Sequence, residues 1–135
     1  MSKIAKFEDI VAWQKARELT REIYGCSKVG RFARDFGLRD QIQRASVSTM
    51  ANIAEGFDRG GDKEFIQFLS TSKGSCGEVR SHLYVALDQD YVTQKQLQLL
   101  YDQADEVGRL IGGFMSYLQQ SDLRGRKYKW TGKCL

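Results

Sequence analysis

Apolar side chains recur at steps of three and four along four successive stretches of this 135-residue chain, and no proline interrupts them. That period turns a single apolar stripe of a helix toward a core. A proline would remove an N–H and clash with the preceding turn, so its absence leaves long helices unbroken. The stripes are Ala12, Ala16, Leu19, Ile23 and Cys26; Ile42, Ala45, Thr49 and Ile53; Phe65, Phe68, Leu69, Ser72, Cys76, Val79, Leu83 and Ala86; and Leu97, Leu100, Ala104, Val107, Ile111, Phe114 and Leu118. The last is a heptad-like seam of the kind that packs helices with a left-handed twist. No strand pattern competes.

The spacing predicts helices from Glu8 or Asp9 to Lys28, from Leu38 to Phe57 and from Lys63 to Leu87, and a fourth opening at the capping-box pair Thr93 and Gln96. Gly30 to Gly37 reads as a loop anchored by Phe32 and Phe36, and Asp62 as the cap of the third helix. The fold class is all-α. Residues 1–121 form an up-down-up-down antiparallel four-helix bundle, and residues 122–135 a basic, aromatic tail. Ile10, Trp13 and Tyr24 on the first helix, and Leu99, Leu110 and Tyr117 on the fourth, form second apolar rows. A lone bundle needs one such face per helix, so these rows point to a homo-oligomer.

Charge is unevenly spread. Residues 1–50 carry ten Lys/Arg against six Asp/Glu, residues 51–121 six against ten, and residues 122–135 five against one. The split can help copies of the chain meet, and it permits nucleic-acid binding without demanding it. Cys26, Cys76 and Cys134 are odd in number and far apart, so free thiols in a reducing, cytoplasmic setting are the simplest account. No apolar run reaches the ~18 residues of a membrane span, and the polar start Met1–Lys6 does not read as a signal peptide.

A polar row runs beside the apolar one on the second helix: Gln41, Arg44, Ser48, Asn52, Glu55 and Arg59. Thr71, Ser75, Glu78 and His82 share one stripe of the third. A face open only to water usually displays Lys and Glu rather than Ser, Asn and Gln. The rows therefore read as a hydrogen-bonded seam between helices or subunits, with Asn52 and Glu55 meeting Ser75 or Arg44; two solvated faces are the plain alternative.

Enzyme chemistry finds little support. His82 is the sole histidine, which leaves histidine-based metal sites and triads without members, and no cofactor or metal is expected. Gly60-Gly61 lacks the lysine and spacing of a phosphate loop. Binding is the better reading. Arg124, Arg126, Lys127, Lys129 and Lys133 can neutralise phosphates while Tyr128 and Trp130 stack on bases. Arg31, Arg34, Arg39 and Arg44 are further phosphate candidates, although Arg44 can instead pair with Glu55. For a lone monomer, a solubilising tail is the alternative.

The run Phe7 to Ala16, Phe36-Gly37-Leu38 leading to Gln41-Ile42-Gln43-Arg44-Ala45, then Ser48 with Asn52-Ile53-Ala54-Glu55-Gly56, and Gly74-Ser75 with Glu78, resembles the rRNA intervening-sequence family of four-helix-bundle proteins. The likeness spans roughly residues 7–120; Phe32-Ala33 and Met50-Ala51 stand where members often carry proline. It implies a homopentameric ring without enzymatic activity. The chain is also similar to the accessory variability protein of diversity-generating retroelements, a basic pentamer that partners a reverse transcriptase and nucleic acid. Together these imply a non-catalytic oligomer that binds RNA or DNA or scaffolds a ribonucleoprotein. The alternatives are an adaptor for a reverse transcriptase or polymerase and a purely structural oligomer.

Overall fold

The computed structural model describes residues 4–120 and the backbone of 2–3 and 129–130. Its body is all-α. A 3-10 turn, Phe7–Asp9, leads into α1 (Val11–Ser27); α2 (Gly30–Arg34) is a single short turn of helix; α3 (Phe36–Arg59), α4 (Asp62–Asp88) and α5 (Gln94–Gln120) complete the series. At about 1.5 Å per residue, α4 and α5 are each roughly 40 Å long. The backbones of Ser2–Lys3 and Lys129–Trp130 pair antiparallel, the strand structure among the described residues.

Each long helix packs on two neighbours, in the cycle α1–α3–α4–α5–α1. Cross-helix bonds set the register. Thr20 Oγ1 donates to the Ser46 carbonyl, Ser48 and Ser75 share a hydroxyl bond of 2.9 Å, and Cys76 Sγ donates to the Ala104 carbonyl. In every such pair one residue number falls as the other rises: Ser27 meets Gln43 while Thr20 meets Ser46, and Cys76 meets Ala104 while Phe65 meets Phe114. Neighbouring helices therefore run antiparallel.

The four predicted stripes form the core, with Cys26 and Phe68 half-buried at its edge. The boundaries differ from the expected ones for local reasons. Ile10 is extended (φ −78°, ψ 121°), so α1 begins after it, and Asp9 instead ties down the backbone N–H groups of Ala5 and Lys6. The expected loop at 30–37 is mostly helical. Phe32 anchors it, buried and stacked on Tyr91 at 5.2 Å, but Phe36 does not: it is 63% exposed. Asp35, the single non-helical residue between α2 and α3, caps α3 by accepting the N–H of Leu38. Gly60 ends α3 at φ 88°, a left-handed conformation that suits glycine. Gly61 then takes the cap position of α4, and Asp62 is its first helical residue. The Thr93–Gln96 capping box forms in both directions, at 3.1 and 2.8 Å.

The second apolar rows largely turn inward. Ile10 and Leu110 are 1% and 2% exposed, Trp13 packs on Phe7, and Tyr117 on Phe114. Tyr24 and Leu99 remain outside, joined by Val29, Val47, Tyr84 and Val85.

Candidate nucleic-acid interface

The arginine-rich end is built by α2 and the first three turns of α3. Its four arginines are not equivalent. Arg39 is held by Asp40 at 3.0 Å, donates to the Ala33 carbonyl at 3.0 Å and lies over the exposed Phe36 ring. Arg31 sits 5.3 Å over the Tyr91 ring. That tyrosine donates its hydroxyl to Asp35 at 2.8 Å, a bond that raises its pKa. Arg34 and Arg44 are exposed and make no ion pair among the described residues. Asp35 and Asp40 thus offset part of this end's positive charge, and Arg34 and Arg44 are its cations most open to a phosphate. Arg124, Arg126, Lys127 and Lys133 lie outside the described residues; Lys129 and Trp130 are described only as backbone.

The polar seam comes together at its middle. Ser48 meets Ser75, and Asn52 donates its amide to the Ser48 carbonyl and hydroxyl at 2.9 and 3.0 Å. Its ends lie apart. Gln41 and Glu78 are exposed, and Glu55 bonds Arg59 at 2.7 Å rather than Ser75 or Arg44. That bond raises the pKa of Arg59.

Burial pushes the Cys26 and Cys76 thiols up to about 11, which keeps both protonated and weakly nucleophilic near neutral pH. No group of three His, Cys, Asp or Glu side chains among the described residues is arranged to hold a metal, and no described helix is long and apolar enough to cross a membrane.

Sequence reasoning passed over Lys73, Arg80 and Arg109, which gather between α4 and α5. A signal was present. Lys73 and Arg80 are seven residues apart on one helix, and Gly108 and Gly112 are four apart on the other. Only the α4–α5 register brings the two pairs together.

The 23S rRNA-intervening sequence protein family matches residues 8–113, and the chain belongs to that family. A solved structure of a protein of unknown function from Bacteroides thetaiotaomicron, of the S23 ribosomal protein family, superposes with a TM-score of 0.71. The two are 22% identical, over 78% of this chain and 98% of the other, so the likeness speaks for the fold alone. No curated protein matches the chain significantly.

Proposed function

We propose that the chain is a non-catalytic, cytoplasmic RNA-binding scaffold, an up-down-up-down antiparallel four-helix bundle that assembles into a homo-oligomeric ring, with five copies as the family resemblance implies. The observation that carries this reading is family membership across residues 8–113, which links the chain to sequences inserted in large-subunit rRNA. The antiparallel cycle of four long helices supports the bundle. The apolar side chains left outside the core support association. Tyr24 and Val47 flank a cleft between α1 and α3, and Val29 and Leu99, 57% and 60% exposed, flank another between α1 and α5.

Arg34 and Arg44 contact phosphate in this reading, Arg31 and Arg39 contribute less, and the cations and Trp130 of the tail add the rest. A ring multiplies these modest contacts by presenting several sets together. The test is a titration of the full chain against structured 23S rRNA fragments at several salt concentrations, with and without residues 122–135. Binding at low salt is expected. If the tail's five cations all contact phosphate, removing them flattens the log–log salt slope by about 3.5, at about 0.7 per single-strand phosphate. Absence of binding at low salt would overturn the reading.

A further inference from the structure

The groove between α4 and α5 has features that the fold itself does not require. It is a hollow of about 390 Å³ whose floor is formed by Gly108, Gly112 and Gly113 and whose walls carry Lys73, Arg80 and Arg109. A glycine inside a helix costs about 1 kcal/mol relative to alanine, so its retention calls for a reason. Internal packing does not supply one at Gly108 or Gly112. A Cβ on Gly108 would lie 3.9 Å from Cys76 Sγ, and one on Gly112 3.6 Å from Lys73 Nζ, both ordinary contacts. The bare floor leaves room for something that approaches from outside.

The walls indicate its charge. The groove has three cations and one carboxylate, Asp105, which two arginines share: Arg80 at 3.9 Å and Arg109 at 3.4 Å. Lys73 has no ion pair among the described residues. The Nε of Arg80 is buried and has no hydrogen-bond partner, although buried donors are normally satisfied. Lys73 and Arg80 stand two helical turns apart, about 10.5 Å along α4. One turn beyond Arg80 the groove becomes aromatic. Arg80 lies 5.7 Å from the Tyr101 ring, Tyr101 meets Tyr84 edge-to-face at 5.9 Å, and Tyr84 is half exposed.

We infer that this groove is a contact site for single-stranded RNA, with phosphates on Lys73, Arg80 and Arg109 over the glycine floor and a base stacked on Tyr84. Cations beside an exposed aromatic face match a sugar-phosphate strand with splayed bases better than an acidic peptide, which has no use for the tyrosine. The site rests on the RNA-binding reading above and gives it a location away from the arginine end.

The probe is a labelled single-stranded RNA taken from the 23S rRNA fragments, followed by anisotropy against the full chain at several salt concentrations. Lys73→Gln combined with Arg109→Gln changes two solvent-facing side chains; thermal melting checks the fold. At low salt this variant should bind at least tenfold more weakly, and its log–log salt slope should flatten by about 1.4, at about 0.7 for each phosphate no longer neutralised. Tyr84→Ala should bind roughly fivefold or more weakly with the slope unchanged, as expected when base stacking is removed and no charge is altered. Gly112→Gln, which lays a neutral side chain into the groove, should weaken binding without removing a charge. If the parent chain binds and all three variants match its affinity and slope, the groove site is wrong while RNA binding stands. If the parent binds no RNA, both fail. If the double variant binds RNA normally but changes oligomeric state, the groove receives a second copy of the chain, and the inference is overturned.

Discussion

Helix α4 meets small residues on both flanks, Gly56 of α3 on one and Gly108, Gly112 and Gly113 of α5 on the other, and the two contacts do different things with them. Toward α3 the space is closed. Gly56 faces two phenylalanines so closely that a Cβ would sit 2.7 Å from Phe68 Cβ and 2.8 Å from Phe65 Cδ1. Ser72 reaches the Thr49 carbonyl, and Ser75 reaches Ser48. Toward α5 the glycines face a cationic hollow that nothing among the described residues fills. Small side chains can thus serve close packing or leave a surface open, and the distance to a would-be Cβ separates the two cases. One flank consolidates the fold, and the other has the properties of a binding groove.

Substitutions on the two flanks should differ in sign. Gly56→Ala should cost about 1–3 kcal/mol in denaturant unfolding, because overpacking outweighs the gain in helix propensity. A neutral result would mean that the α3–α4 contact yields easily. A pH series probes the Cys76 thiol, which is buried between α4 and α5. Burial raises its pKa from 9.0 to about 11, so its contribution is complete below pH 9 and is lost as pH rises through 11. The melting temperature of Cys76→Ser should fall less over that interval than the parent's, and identical profiles would count against burial of the thiol.

Ser48→Ala should lose about 1 kcal/mol by leaving Ser75 without its hydroxyl partner. Gly112→Ala should instead gain about 0.5–1 kcal/mol, since its methyl meets only ordinary contacts. A loss there would place Gly112 in the same class as Gly56 and erase the contrast between the flanks. Glu55→Ala, at an exposed ion pair, should stay within about 0.5 kcal/mol.

Much of the fold is legible in the sequence because helical periodicity depends only on the chain itself. The four apolar stripes and the Thr93–Gln96 box are local patterns, and they appear in the structure almost unchanged. Helix α2 is not legible, since five residues are too few to display a period. Ile10 and Leu110 read as outward from their angle to the main stripe; yet Ile10 is extended ahead of α1, so helical angles do not apply to it, and Leu110 is buried because the core covers a wider sector of α5 than one stripe. The polar seam is legible at Ser48 and Ser75 but not at Glu55 and Glu78. Straight rows on two packed helices meet over a limited length, and the ends of these rows reach solvent. The glycine groove cannot be read from sequence because it depends on a register between α4 and α5 that no single stretch encodes.

The measurement that tests the central claim most directly is light scattering of the full chain, alone and mixed with a structured 23S rRNA fragment at low salt. The account predicts a particle several times the 15.4 kDa chain mass that shifts to a larger protein–RNA complex when the fragment is added. Well-folded single chains beside unbound RNA would contradict it.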